Sequence, residues 1–209
     1  MSLRKEKAAR IKVQVLDYTI KLIGKKSFDD LYIEDLCGKV KVSKVTLFHY
    51  FPKKEDILLY FYRVWCLSRC VDLTVKPKEG LAGIYFLFDK LSEACEHYPG
   101  LMTGVMGYLA NLKRSPKPFP IKVEEKKLLF PAVAGISAIE ILSLEQLLEK
   151  FVLEAILNKE ITRTSSTRDI TNLFTTVFMG GVIGAQVYQV PAVKLYFRKN
   201  IDLILKGLN

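Results

Sequence analysis

The chain has 209 residues, half of them hydrophobic, which suffices for a sizeable core and excludes a wholly disordered protein. Its 32 lysines and arginines outnumber its 22 aspartates and glutamates, giving a formal net charge of +10. Residues 1–80 carry 17 basic and 10 acidic side chains, so most of the excess lies in the N-terminal third. This distribution favours a polyanionic partner, although a solvated lysine-rich surface is the alternative.

Residue types that support catalysis or metal binding are sparse. The two histidines are His49 and His97, and the four cysteines form no CxxC pair, so neither a metal site nor a cofactor is predicted. No glycine-rich phosphate loop or nucleophile–base pair is seen, so an enzyme is not predicted. The charged first residues argue against a signal peptide, and a cytoplasmic protein is predicted.

Three helices are predicted near the N-terminus. Apolar residues at spacings of three and four mark a first helix that stops at Gly24, and a second occupies about 33–40. Residues 41–42 form a turn. Ser43 is a good N-cap for a third helix that runs to about Phe51.

The helical pattern continues to the end of the chain. A fourth helix runs from about Lys53 to a break at 76–80. Further helices are predicted at about 81–97, 101–113, 123–130, 139–158, 168–188 and 192–206. No convincing strand or repeat appears, so the predicted fold class is all-α.

One uncharged stretch raises the question of a membrane span. Residues 170–193 carry no charge over 24 positions, a length that would permit one. The stretch also contains the polar residues Thr171, Asn172, Thr175, Thr176, Gln186 and Gln189. A buried interface helix tolerates these groups better than lipid does, so no membrane association is predicted.

Residues 44–51, as a helix, separate an apolar anchor from a polar face. Leu47 and Phe51 share one side. The opposite side carries Val45, Thr46, His49 and Tyr50. Such a face suits the major groove of double-stranded DNA, where hydroxyl and imidazole groups donate to phosphates and a valine meets a thymine methyl. Lys53 and Lys54 follow, where a phosphate would also find amide groups.

A longer motif surrounds this helix. It consists of Ile33-Glu34-Asp35-Leu36-Cys37, Val42-Ser43-Lys44-Val45-Thr46-Leu47-Phe48-His49-Tyr50-Phe51 and Lys54-Glu55-Asp56-Ile57-Leu58. The motif, within about residues 8–60, resembles the TetR family of bacterial transcriptional regulators. It matches the family pattern V-S-x-x-T-L-Y-x-Y-F-x-x-K-E-x-L almost throughout.

The resemblance implies a role in DNA binding for each matched residue. Ser43 would cap the recognition helix. Side chains at base edges or adjacent phosphates would be those of Lys44, Val45 and His49. Side chains at the DNA backbone would be those of Thr46, Tyr50 and Lys54. Phe48 and Lys53 complete the predicted DNA-binding set.

Several positions depart from the family pattern. Lys41 stands where a turn glycine is usual, so a strained turn is expected. Phe48 lacks the phosphate-contacting hydroxyl of the usual tyrosine. Tyr32 replaces a threonine or serine, Glu34 an occasional basic residue, and Lys53 a common capping serine.

The resemblance implies two parts joined by a helix. Residues 1–52 would form a three-helix DNA-binding domain with a helix-turn-helix, 53–78 the connecting helix, and 79–209 a larger helical ligand-binding and dimerisation domain. The predicted function is a repressor released from a palindromic operator by a small, mostly apolar ligand. A DNA-binding nucleoid or division factor of the same fold, without a metabolite ligand, is the alternative.

The C-terminal part offers candidates for a ligand pocket and a homodimer interface. Side chains that could line an adaptable cavity for a lipophilic or aromatic ligand are Tyr85, Phe88, Met102, Met106 and Tyr108. Such residues are more often plain core. An apolar stripe on the helix before the last predicts the dimer contact. Its members are Phe174, Val177, Phe178, Gly181, Val182 and Ala185.

Overall fold

A computed structural model describes residues 3–112, 117–162 and 165–208, and these contain helices and no β-strand. The helices are α1 (Leu3–Ile23), α2 (Ile33–Val40), α3 (Lys44–Tyr50), α4 (Asp56–Val75), α5 (Gly80–His97), α6 (Pro99–Ala110), α7 (Val123–Leu129), α8 (Leu144–Leu157), α9 (Thr167–Val187) and α10 (Val193–Leu208). Two 3₁₀ turns lie at Phe28–Asp30 and Ile136–Ala138. The predicted all-α class is confirmed.

The helices group into two compact units that do not follow chain order. The described residues up to Val71 and from Gly100 to Ile141 form unit 1, and the remainder forms unit 2. The predicted divisions after residues 52 and 78 differ from this grouping. The physical reason is that α7 packs on α1, which assigns a stretch from the predicted C-terminal domain to the N-terminal helices.

The first core of unit 1 lies beneath α1, α2 and α3. Val15, Leu36 and Leu47 are fully buried in it, together with Ile57 from α4. Helix α6 approaches the loop after α1 so closely that only glycine fits. A Cβ at Gly100 would lie 1.6 Å from the carbonyl oxygen of Lys26 in that loop.

A buried polar and aromatic cluster joins α7 and the segment before it to α1 and α4. Lys12 Nζ forms an ion pair with Glu125 Oε2 at 2.7 Å, and their side chains are 9% and 2% exposed. The same ammonium lies 4.8 Å from the Tyr60 ring and 4.9 Å from the Phe119 ring. Phe119 in turn stacks on Phe51 with ring centroids 5.5 Å apart. These five residues are called the Lys12 cluster below.

Burial, rather than the ion pair, dominates the electrostatics of this cluster. Desolvation lowers the pKa of Lys12, although the hydrogen bond and charge of Glu125 oppose that shift. The ammonium also donates to the carbonyl oxygen of Pro120 at 3.1 Å. The buried Lys12 ammonium is stable only while both oxygen partners stay in place. The ion pair with Glu125 therefore fixes the position of α7 on α1.

A second core of unit 1 forms where the chain from α7 onward folds over α4. Its buried members are Leu67, Val71 and Ile136, and the apolar residues packed against them are Ile121, Leu129, Phe130, Val133, Ile139 and Ile141. Arg63 donates to the carbonyl oxygen of Ile141 at 2.9 Å. The helix predicted from residue 139 therefore begins later, at Leu144, after an N-cap hydrogen bond at Ser143.

Unit 2 consists of α5, α8, α9 and α10 around an aromatic core. The Phe88 ring lies 6.3 Å from Phe174, 5.5 Å from Phe178 and 5.8 Å from Phe197. At the surface, Asp89 of α5 forms ion pairs with Arg198 at 2.7 Å and Lys194 at 3.1 Å on α10.

Helix α9 is long and apolar enough to cross a membrane by length and composition. The burial of its phenylalanine face in this core supports its interpretation as a core helix.

The turn of the helix-turn-helix has a strained backbone. Lys41 has φ 58 and ψ 47, in the left-handed region, and its N–H donates to the carbonyl oxygen of Cys37. This agrees with the expectation from a lysine in the place of a glycine. A side chain with a Cβ in this conformation costs about 1 kcal/mol or more.

We expect Lys41→Gly to stabilise the protein by about 0.5–1 kcal/mol, because glycine adopts this conformation without strain. Lys39→Gly, two residues earlier within α2, removes the same side chain and should instead destabilise it by up to about 1 kcal/mol. Urea unfolding of both variants checks the opposite signs. Equal destabilisation by both would contradict a strained turn.

Glu125→Ala should destabilise unit 1 by about 3–5 kcal/mol, because it leaves the buried Lys12 ammonium without its carboxylate. The neighbouring Glu124→Ala, which removes the same group from a less buried position, should change stability by less than about 0.5 kcal/mol. Thermal and urea unfolding measure the difference. The double variant Lys12→Met/Glu125→Leu should regain most of the loss, and a failure to do so would argue against an unpaired charge as the cause.

Candidate nucleic-acid interface

Local hydrogen bonds start α3 at the predicted residue. Ser43 has extended backbone angles, and its hydroxyl accepts a hydrogen bond from the Thr46 N–H at 3.1 Å. The Ser43 and Thr46 hydroxyls lie 2.9 Å apart, also within hydrogen-bond distance. The predicted N-cap is confirmed. This cap compensates for the low helix propensity of Val45, Thr46 and the aromatic residues that follow.

The seven-residue helix is held from one side and open on the other. Leu47 and Phe51 are fully buried, whereas Val45 is 82% exposed and Phe48 is 38% exposed. Lys44 and His49 are also exposed, and Thr46 and Tyr50 are half-buried. The predicted division into a buried anchor and an exposed face is confirmed.

Lys44, predicted to reach DNA, is engaged within the protein. Its ammonium forms an ion pair with Glu34 in the first turn of α2. The hydrogen bond from Lys44 lowers the pKa of Glu34, and the carboxylate raises the pKa of Lys44. The acidic residue noted as a departure from the family pattern therefore holds the lysine over α2. A phosphate approaching Lys44 would have to compete with Glu34.

The two lysines before α4 have different surroundings. The Lys53 N–H donates to Asp56 Oδ2 at 2.8 Å, so the Asp56 side chain closes the turn in which Lys53 stands in place of the common capping serine. The Lys53 side chain is exposed. Lys54 Nζ instead donates to the carbonyl oxygen of Asp29 at 3.1 Å and lies 5.0 Å from the Phe28 ring. Lys54 thus braces the 3₁₀ turn, whereas Lys53 projects toward solvent.

A groove of about 250 Å³ runs beside the C-terminal end of α3, and it is called the α3 groove below. It is lined by Lys5, Ala8, Ala9, Lys12, His49, Tyr50, Phe119, Pro120, Lys122 and Glu125. Sequence reasoning missed residues 117–125 as part of this region. Pro118 and Pro120 favour a loop there, but nothing in the sequence indicates the surface on which that loop packs.

The five predicted pocket residues lie in different surroundings. Phe88 is fully buried in the aromatic core of unit 2, so there it is a core residue. Tyr85 lines a surface groove of about 500 Å³ together with Asp89, Arg198 and Asp202. Met102 and Met106 are buried on α6, and Tyr108 on the same helix is half-buried. One apolar cavity lined by all five residues stays a prediction.

The predicted dimer stripe falls mostly on the inner side of α9. Phe174, Phe178, Gly181, Val182 and Ala185 are buried within the same chain, and Val177 is half-buried. A Cβ at Gly181 would lie 2.2 Å from the Phe197 ring, so this glycine serves an approach within the chain. These five residues are therefore corrected from interface to core.

The other side of α9 carries an exposed apolar stripe. Its members recur at spacings of three and four, and they are Leu173, Val177, Gly180, Ile183 and Val187. Leu173 is 42% exposed, Ile183 48% and Val187 66%. A Cβ at Gly180 would have nothing within 4 Å, so the surface is open there. We call this the outer α9 stripe.

Comparison with known proteins gives a family match for the N-terminal module and a fold for the chain. Residues 15–61 match the sequence model of the bacterial regulatory proteins of the tetR family. No curated protein matches the sequence significantly. Among solved structures, a protein described for the control of antibiotic production by a bacterial hormone aligns with 100% of this chain and 99% of its own, with TM-score 0.60 and 11% identity.

Two further structures align over nearly the full length. A gamma-butyrolactone receptor (ArpA-like protein) has TM-score 0.49 and 14% identity, over 97% of this chain and 99% of its own. A TetR family transcriptional regulator from Chloroflexus aurantiacus J-10-FL has TM-score 0.47 and 14% identity, over 99% and 94%. The matched sequence model covers the capped α3 with its buried anchor and exposed face, so this N-terminal module is similar to that of the tetR family of bacterial regulatory proteins.

Proposed function

We propose that this protein is a cytoplasmic, dimeric, sequence-specific repressor that binds double-stranded DNA through α3. The observation that carries the proposal is the division of α3 into a fully buried anchor and a solvent-exposed face within a tetR-family module. A short helix held only from behind can enter the major groove without rearrangement of the core.

The residues of the exposed face are proposed to contact different parts of the DNA. Val45 and His49 would contact base edges, since a methyl surface and an imidazole can distinguish base pairs in the major groove. Thr46, Tyr50 and Lys53 would contact phosphates, which position the protein without reading the sequence. Ser43 acts as a cap, and Lys54 acts mainly by bracing the turn at Asp29.

The dimer is proposed to form through the outer α9 stripe. The stripe is apolar and partly exposed, and its open glycine would allow close approach of a second helix. A two-fold dimer presents two copies of α3 to half-sites about one helical turn apart, so a palindromic operator is expected.

The inducer is proposed to be small and mostly apolar. Helix α6 carries the buried Met102 and Met106, and methionine adapts readily to an apolar ligand. The same helix contacts the first three-helix core, because a Cβ at Gly104 would lie 3.0 Å from Phe28 and 3.2 Å from Leu58. A ligand that prefers one position of α6 would therefore shift the DNA-binding helices.

A nucleoid or division factor without a metabolite ligand is the alternative. Selection of binding sites from a random-sequence duplex pool separates the two functions. Enrichment of one palindrome by the wild-type protein supports the repressor, and binding without sequence preference contradicts it.

We expect His49→Ala to change the ranking of sequence variants within the selected site, by about 1–3 kcal/mol at the base pair that His49 contacts. Lys53→Ala should weaken binding to all variants alike and lower the salt slope by about 0.9 per protomer, because a phosphate contact is sequence-independent. Fluorescence anisotropy across a panel of duplexes measures both effects. An identical pattern for the two variants would refute the division between base and phosphate contacts.

Ile183→Glu should dissociate the dimer at micromolar concentration, because it places a carboxylate in the centre of an apolar contact. Leu128→Glu is a matched control in unit 1, since Leu128 on α7 is 41% exposed, close to the 48% of Ile183. Sedimentation velocity reports the oligomeric state. A dimeric Ile183→Glu protein would show that another surface forms the interface.

A further inference from the structure

We propose that Lys122, brought beside α3 by the segment 117–122, forms a second DNA-contacting element that binds a backbone phosphate. The inference rests on the proposed DNA-binding function. It adds a contact from a part of the chain outside the helix-turn-helix.

The α3 groove places this lysine beside the recognition helix. Lys122 lines the groove together with the exposed His49 and the half-buried Tyr50, the last two residues of α3. Lys5 of α1 lines it as well, and both lysine side chains are exposed. A duplex that docks on the exposed face of α3 thus meets two further ammonium groups at the same groove.

The Lys12 cluster holds the segment 117–122 in place beside α3. Phe119 stacks on Phe51 at 5.5 Å and lies edge-on to Tyr60 at 5.5 Å. The Pro120 carbonyl oxygen accepts from Lys12 at 3.1 Å, and the Lys122 N–H donates to Glu125 Oε1 at 3.3 Å. Each hydrogen bond ends on a side chain of the buried ion pair. The backbone at Lys122 is therefore fixed before DNA arrives, which reduces the cost of placing its side chain at a phosphate.

The charge balance of the α3 groove favours an anion. Glu125, the carboxylate in its lining, is buried and already paired with Lys12. The charges of Lys5 and Lys122 remain at the exposed rim. Desolvation is the main cause of the lowered pKa of Lys12, and the nearby positive charge of Lys122 adds to that lowering. A phosphate of the DNA backbone would relieve this repulsion.

The test compares two lysines of one region. Lys122→Ala removes the proposed contact, and Lys127→Ala removes the same charge from an exposed position on α7 that does not line the groove. Binding of the duplex selected by the wild-type protein is measured by anisotropy from 50 to 300 mM KCl. Loss of one phosphate contact per protomer should lower the slope of log K against log salt by about 0.9 per protomer.

The expected result is a lower slope for Lys122→Ala and a wild-type slope for Lys127→Ala. Lys122→Arg, which keeps the charge, should restore the slope. A wild-type slope for Lys122→Ala, while the wild-type protein still selects its palindrome, would overturn this inference and leave the proposed function standing. Equal slope losses for Lys122→Ala and Lys127→Ala would also overturn it, because they would indicate a general field effect. Failure of the wild-type protein to select any sequence would overturn the proposed function itself.

Discussion

The ion pair between Lys12 and Glu125 is the interaction on which the arrangement of unit 1 depends. It is a costly interaction, because two charges leave water and burial already lowers the pKa of the lysine. The surrounding rings of Phe51, Tyr60 and Phe119 exclude solvent, and the Pro120 carbonyl supplies a further acceptor. One polar contact thereby joins three parts of the chain that are remote in sequence. An apolar contact, which has no directional partner, would define the relative positions of these three parts less precisely.

The exposed face of α3 follows from the same packing. Leu47 and Phe51 hold the helix from behind, and Phe51 belongs to the Lys12 cluster. Lys41 gives the turn before α3 a left-handed backbone conformation. The ion pair with Glu34 engages the side chain of Lys44 at the start of the exposed face. The departures from the family pattern thus alter local contacts while the buried anchor stays the same.

Much of the N-terminal module could be predicted from the sequence, because its signals are local. The cap at Ser43, the anchor at Leu47 and the left-handed turn each depend on residues within one or two helical turns. The docking of residues 117–129 on α1 could not be predicted, since Lys12 and Glu125 are 113 positions apart. Single-sequence patterns carry no information on such pairings.

The dimer stripe shows a second limit. Helix α9 is apolar on two sides, and periodicity identifies an apolar side without indicating what covers it. The larger side chains, Phe174 and Phe178, suggested an interface but fill the core. The exposed side carries smaller and more scattered residues such as Leu173 and Ile183. Only the position of α5, α8 and α10 decides between the two sides.

The assembly of unit 1 from two separate stretches of chain has a consequence for its synthesis. The first 71 residues leave the ribosome well before the stretch from Gly100 to Ile141 that completes their packing. Until residue 125 emerges, the Lys12 ammonium stays in water and the aromatic ring of Phe51 lacks its stacking neighbour. Long-range closure of this kind slows folding and leaves nascent helices uncovered. The nascent chain therefore completes the packing around α3 only after more than half of the protein has been translated.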